Sequence, residues 1–274
     1  MKLYFFQGLA GEIVPKDITH VIIDRKVTVI KWHAFRMCRH RLVSIIMGDN
    51  VKRIEMKAFA GCYALRFIRL SKTLEYIGNN AFKYCYSLEA LFLPSTVKEI
   101  GRQAFSHCRS LRLLILPNDI DLSKSNEAII FDTSIFQIAE AAGVEYEWGY
   151  TSDVTALQVN KWLMNHMDEA PFHKLCYNPS VTASKINAFL NEVDADEALE
   201  IDPYHGMTPL HMLSMNPHAP ADTIAFLFYA NMEAAFCVDN QGKTVIDYAT
   251  EYNVGGLISM INILCNHRSA QYEN

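Results

Sequence analysis

L-R-F-I-R-L from Leu65 to Leu70, then Leu74, Ile77-Gly78 and A-F-x-x-C from Ala81 to Cys85, is the stretch that decides the fold. It returns as L-E-A-L-F-L from Leu88 to Leu93, with Val97, Ile100-Gly101 and A-F-x-x-C from Ala104 to Cys108. Two earlier copies read I-T-H-V-I-I (Ile18 to Ile23) with Ala34-Phe35 and Cys38, and L-V-S-I-I-M (Leu42 to Met47) with Ala58-Phe59 and Cys62. The cysteines at 38, 62, 85 and 108 set periods of 24, 23 and 23 residues. A fifth copy opens as L-R-L-L-I-L from Leu111 to Leu116 and then degenerates. Self-similarity at this period marks a solenoid. A unit this short cannot bury its apolar side alone, so each coil must cover its neighbours.

Within L-x-x-L-x-L the last two apolar residues lie two apart and share one face of a strand. Stacked coils therefore predict one continuous parallel sheet over residues 18–116, with Leu65, Ile68, Leu70, Leu88, Leu91 and Leu93 inside. Pro94 and Pro117 should end their strands, because proline cannot donate to a ladder. The A-F-x-x-C segment reads as a short helical or 3₁₀ turn whose phenylalanine supplies bulk and whose cysteine is a small, soft core plug. This pattern resembles the BspA-type leucine-rich repeat over roughly residues 14–117. The resemblance implies a leucine-rich-repeat solenoid, a parallel β-sheet with short helical turns.

Working outward, residues 1–17 read as an N-terminal cap, with Leu3, Phe5, Leu9 and Ile13 as candidates for packing on the first coil. Beyond Pro117, E-A-I-I-F from Glu127 to Phe131 reads as a degenerate A-F turn. Ser134 would cap a helix from Ile135 to Ala142 that Gly143 stops. V-E-Y-E-W from Val144 to Trp148 alternates like a terminal edge strand guarded by Glu145 and Glu147. These place the solenoid with its caps at residues 1–150. A connecting helix follows at 151–170, with Val159, Trp162, Leu163 and Met167 on one side.

Residues 171–274 carry a second repeat. P-F-H-K-L-C-Y-N-P from Pro171 to Pro179 aligns with P-L-H-M-L-S-M-N-P from Pro209 to Pro217, and I-N-A-F-L at Ile186 with I-A-F-L at Ile224. A further unit runs from Val238 to Ala249, with Gly242 and Thr244 matching Gly206 and Thr208. T-P-L-H from Thr208 to His211 is similar to the ankyrin signature, which implies an all-α, ankyrin-like array of about three units. Leu213 stands where ankyrin repeats carry Ala, Val245-Ile246-Asp247 replaces P-L-H, and the acidic stretch Glu192 to Asp202 lengthens one unit. The combination of such coils with P-F-H-K-L-C and M-T-P-L-H segments resembles a class of leucine-rich repeat/ankyrin proteins abundant in diatoms. That resemblance implies an architecture and no activity.

Half of the 274 residues are hydrophobic, enough for a real core. Residues 1–150 hold 20 Lys and Arg against 15 Asp and Glu, a net of +5; residues 151–274 hold 5 against 15, a net of −10. Neither half shows the concentrated basic stripe of a nucleic-acid binder. The longest apolar run, Val254 to Cys265, falls short of the roughly 20 residues a membrane helix needs. The opening M-K-L-Y-F-F-Q is too short for a secretory signal. With four of seven cysteines at repeat-core positions, a reducing, cytoplasmic location is expected.

The column Cys38, Cys62, Cys85 and Cys108 invites a metal reading, but equivalent positions in a stack point in parallel, whereas zinc needs converging ligands. His173 and Cys176, three apart, could meet on a helix face near His166 or His205. The ankyrin resemblance instead implies that His173 and His211 fix turns by hydrogen bonds. No nucleophile elbow, phosphate loop, dinucleotide fingerprint or H-E-x-x-H occurs, so neither an enzyme nor a cofactor is expected.

The outward strand positions form two columns, His20, Ser44, Phe67, Ala90, Leu113 and Ile22, Ile46, Arg69, Phe92, Ile115. They are mostly apolar where a solenoid face is normally polar, and such a patch marks a contact surface. Two readings stay open: cover by the C-terminal domain or a second copy, or a groove for another protein. Ile22, Ile46, Phe67, Arg69, Phe92, Leu113 and Ile115 are the candidate partner-binding residues. The expected function is non-catalytic protein–protein recognition or scaffolding by solenoid face and ankyrin surface. Its partner would be another protein or a second copy, with no nucleic acid, membrane or small-molecule substrate. The alternative is a cell-surface or secreted adhesion protein of the BspA type.

Overall fold

A computed structural model describes residues 1–121, 129–144, 153–193 and 199–272. The chain divides into two compact units, Met1–His166 and Met167–Asn274.

In the first unit each coil contributes two short strands rather than one. The L-x-x-L-x-L segments give β2 (His20–Ile23), β4 (Ser44–Ile46), β6 (Phe67–Arg69), β8 (Ala90–Leu91) and β10 (Leu113–Leu114). The segments ending at Ile30, Ile54, Ile77 and Ile100 give β3 (Val29–Ile30), β5 (Arg53–Ile54), β7 (Tyr76–Ile77) and β9 (Glu99–Ile100). Strands β3, β5, β7 and β9 pair in that order in a parallel sheet. The first ladder is also parallel, with Val21 beside Ile45 and Ile45 beside Ile68. It is not the single sheet expected: β1 (Leu3–Phe6), β2, β4 and β6 form one sheet, and β8 with β10 forms another. The strands shorten where proline follows. β4 and β6 have three residues, whereas β8 and β10, just before Pro94 and Pro117, have two. Shorter strands leave fewer ladder bonds to hold the register.

The core is as the repeat dictates. Leu65, Leu70, Leu88 and Leu91 are fully buried, with Ile68 and Leu93 nearly so. The A-F turns stack Phe35, Phe59, Phe82 and Phe105 face to face, with ring centroids 4.9, 5.1 and 5.8 Å apart. Each turn is held by i to i+3 hydrogen bonds, as from the N–H of Cys85 to the Phe82 carbonyl at 3.1 Å. A further ladder ties successive turns: the N–H groups of Phe59, Phe82 and Phe105 donate to the carbonyls of Ala81, Ala104 and Ile129. Gly78 is required because a Cβ there would lie 2.5 Å from the Met56 amide nitrogen of the preceding coil.

The ends depart from expectation in detail. Residues 1–17 supply a strand, but Leu3, Phe5, Leu9 and Ile13 are exposed, and Phe6 and Val14 pack inward instead. Strand parity is the reason: Phe6 pairs with core-facing Ile23, which sends Leu3 and Phe5 to the outer face. At the other end Ile129-Ile130 occupy the Ala-Phe place and Thr133 the cysteine place. Glu127 and Ala128 of that segment lie outside the described residues, as do residues 145–148 of the expected edge strand. Thr133, not Ser134, caps α1 (Ser134–Ala141), accepting from the N–H of Phe136. Val159 and Leu163 of α2 (Asp153–Asn165) join the solenoid core.

The second unit contains α3 (Pro171–Tyr177), α4 (Ala183–Glu192), α5 (Pro209–Met215), α6 (Ala221–Ala230), a 3₁₀ turn (Met232–Phe236), α7 (Val245–Tyr252) and α8 (Val254–Tyr272). Helices α3, α5 and α7 pack in one row, and α4, α6 and α8 in a second. Thr208 and Thr244 cap α5 and α7 reciprocally with the third-position side chains His211 and Asp247, so Asp247 does His211's capping work. The acidic stretch contains residues 194–198, which lie outside the described residues.

Candidate functional site

Strand alternation aims the predicted columns outward, but the structure divides them. At the β8–β10 end Ala90, Phe92, Leu113 and Ile115 are 4% exposed or less, buried within the chain itself. Phe92, Leu113 and Ile115 are therefore not available to a partner in this structure. Two features mark that end as interior. The N–H of Leu116 donates to the Leu163 carbonyl of α2 at 3.1 Å. Arg112 and Glu89 form a buried ion pair at 3.0 Å, which needs its hydrogen bonding satisfied to offset desolvation.

At the β1–β6 end the face is open. Ile22, Phe67 and Arg69 are half-buried and Ile46 is exposed. The strand β1 adds Leu3 and Phe5 to the two columns, beside His20 and Ile22. Phe5 is 60% exposed, Leu3 45% and Ile46 41%, so Phe5, Ile22 and Ile46 leave an apolar run in water along one column, while His20 and Ser44 stand between Leu3 and Phe67 in the other. Arg69 bounds it, donating to the Met47 carbonyl at 2.8 Å and pairing with Asp49 at 3.5 Å. Sequence reasoning missed Leu3 and Phe5 because it gave residues 1–17 a capping role, with no register to fix their parity.

A second surface, on the turn side, was also missed. Tyr63 and Tyr86 stack at 5.2 Å, with His40 5.0 Å from Tyr63 and the Arg109 guanidinium 5.3 Å from the Tyr86 ring. Tyr84 stacks on His107 at 4.7 Å. His107 and Arg109 both reach Asp132, at 2.8 and 3.1 Å. Burial acts to raise the Asp132 pKa, but hydrogen bonds from His107 and Arg109 outweigh it and hold the carboxyl below its ordinary value. The signal was available: Tyr63 and Tyr86 each follow a repeat cysteine, and Tyr84 and His107 each precede one, so the period lines them up.

The residues weighed for metal chemistry have other work. The Cys85 and Cys108 thiols donate to the carbonyls of Phe59 and Phe82 at 3.3 and 3.0 Å. Burial pushes the Cys38 thiol up to about 11 and those of Cys62 and Cys85 well above their ordinary value. His173 Nε2 donates to the Met207 carbonyl at 2.8 Å. His211 Nε2 donates to the Cys237 carbonyl at 3.1 Å, while its Nδ1 accepts from Thr208. His205 pairs at 2.7 Å with Asp202, whose carboxylate also accepts from the amides of Tyr204, His205 and Met207. Among the described residues no three His, Cys, Asp or Glu side chains gather as a metal site.

The stacked A-F-x-x-C turns and their paired parallel strands make this segment a leucine-rich-repeat-like solenoid. Residues 15–136 match the BspA type leucine rich repeat region, in six copies. Solved structures similar over part of the chain are leucine rich repeat proteins. One from T. pallidum is 28% identical with a TM-score of 0.36, over 43% of this chain and 53% of its own. A leucine rich cell surface protein from Faecalibacterium prausnitzii A2-165 is 26% identical (TM-score 0.34, 44% and 33%). A leucine-rich repeat protein from Bacteroides ovatus ATCC 8483 is 23% identical (TM-score 0.32, 44% and 32%). The chain thus spans about half the length of the first and a third of the other two. No curated protein matches the chain. The matched coils carry both outer surfaces described above, on strands and turns respectively.

Proposed function

We propose that this chain is a non-catalytic recognition module that docks another protein on the open strand face of its coils. The observation that carries the reading is the run Phe5, Ile22 and Ile46, flanked by Leu3 and Phe67, apolar on a face that alternation would normally make polar. Fully burying such side chains is worth roughly 1.5–3 kcal/mol each, which a partner's apolar surface would recover. Arg69 at its border would orient an acidic or carbonyl group of that partner. We read the helical unit as an ankyrin-like array. The Thr-capped helix starts, the His173 and His211 bridges, and the 36-residue return of Gly206 and Thr208 at Gly242 and Thr244 support this. The column of buried repeat thiols favours a reducing, intracellular setting for this activity.

The test is a photo-crosslinking amino acid placed at Ile46 and, as a buried control, at Phe92, in the full chain in cells. Adducts should form from position 46 and not from 92, and Phe5→Asp should abolish them with folding unchanged. Adducts that survive Phe5→Asp, or none at all, would overturn the reading. Sedimentation velocity distinguishes a second copy of the chain from a different protein as the partner.

A further inference from the structure

We infer a second, separate docking surface on the turn edge of the coils, fitted to an acidic peptide segment of a partner protein. Its charge begins with the longest stretch of one sign in the repeats. Between Asp24 and Asp49 the chain carries Arg25, Lys26, Lys31, Arg36, Arg39 and Arg41 with no carboxylate. Folding concentrates part of this charge. Arg36 lies on the Ala34–Cys38 turn and Arg39 directly after it, and Lys57 holds on the next turn the place that His33 holds on this one; after burial, the charges of all three help to lower the His33 pKa. All three are exposed, beside exposed Trp32 and Met37.

The cationic turn runs without a gap into the aromatic column. A Cβ built at Gly61 would lie 3.5 Å from Arg39 Cδ and 3.6 Å from the Tyr63 ring, so Arg39 and Tyr63 flank the same bare backbone. From Tyr63 the surface continues through Tyr86 to Arg109. Asp132 is already engaged by His107 and Arg109, and Glu55 accepts from the Trp32 amide. The strip therefore offers Arg and Tyr, the residue types that dominate binding energy at interfaces, under a positive field.

Charge complementarity selects an acidic partner, and ring geometry selects peptide over single-stranded nucleic acid. Bases need open ring faces to stack on. Here Tyr63 and Tyr86 are parallel to within 20° and stacked on each other, and Tyr84 is stacked on His107. With those faces occupied by neighbouring rings and by the Arg109 guanidinium, edges and hydroxyls are what remains for a ligand, and they suit carboxylates and apolar side chains. A glutamate-rich segment with interspersed leucine or phenylalanine would place carboxylates on Arg36, Arg39 and Arg109 and its apolar groups against Trp32, Tyr63 and Tyr86.

The test is fluorescence anisotropy on the full chain with three probes. They are a labelled twelve-residue glutamate-rich peptide carrying two leucines and a phenylalanine, the same peptide with lysine for glutamate, and a fifteen-nucleotide oligo-dT. The acidic peptide should bind, the lysine peptide should not, and raising salt should weaken binding, because exposed charges are screened within about 8–10 Å at physiological ionic strength. Arg36→Glu with Arg39→Glu should weaken it at least about tenfold, as should Tyr63→Ala with Tyr86→Ala, each with an unchanged circular dichroism spectrum. Ile46→Asp should leave it unchanged, and the Arg36/Arg39 variant should leave the adducts at position 46 unchanged, so each surface stands or falls separately. Failure of the acidic peptide to bind, tighter binding of oligo-dT, or indifference to the Arg36/Arg39 reversal would overturn the proposal.

Discussion

Cys85 shows how the repeat uses a residue whose chemistry points elsewhere. Its thiol is fully buried, donates to a carbonyl of the preceding coil, and is kept protonated by burial. Cys38, Cys62, Cys85, Cys108 and Cys176 are buried, whereas Cys237 is half-buried and Cys265 exposed. A thiol reagent should therefore modify two cysteines of the native protein quickly and all seven in denaturant, with no gain on adding reductant. The raised values also fix a pH dependence. Near pH 7 both states keep these thiols protonated; above the ordinary thiol value of 9.0 the unfolded state ionises first, so stability falls as pH rises towards 11. Denaturant midpoints at neutral and alkaline pH check this. Asp202 has the opposite sign. Burial alone would raise its pKa, but His205 and backbone amides hold it down to about 2. Its contribution is complete above the ordinary value of 3.8 and is lost as pH falls towards 2. Asp202→Asn replaces the carboxylate that accepts from the His205 ring and three backbone amides and should cost about 1–3 kcal/mol, read from urea unfolding.

At the scale of elements, the strand face separates two substitutions that sequence alone would treat alike. Phe92 and Ile46 are equivalent outward positions, yet Phe92 is 2% exposed and Ile46 41%. Phe92→Asp would bury a carboxylate and should unfold or strongly destabilise the first unit. Ile46→Asp should leave the melting temperature within a few degrees of the parent, because it lies at the surface. Differential scanning calorimetry of both variants decides the matter. The contrast also shows where the sequence was readable. Core leucines, A-F turns and the solenoid itself follow from spacing alone, because each coil repeats the same demand. The second strand of each coil was less legible, since Val29-Ile30 or Glu99-Ile100 is too short to show a period of two. Nor could alternation tell which outward residues the chain would itself cover. That depends on what packs there, as α2 does beside Leu116, and no strand pattern encodes it.

For the whole molecule, the direction of the hydrogen bonds matters more than their number. Among the described residues, the ladders of the first unit, in its three strand sheets and along the turns, join one coil to the next and so run along the stacking axis. A pull applied along that axis, between handles on β1 and β10, would load these bonds one coil at a time, as in opening a zipper, and not all together as in shear. Each released coil of 23 residues frees about 80 Å of extended chain. An optical trap should record low-force steps of that length, whereas a single high-force rupture would contradict the picture. The coils would then behave as a compliant spring, giving way in turn under tension and re-forming on whichever neighbour still stands.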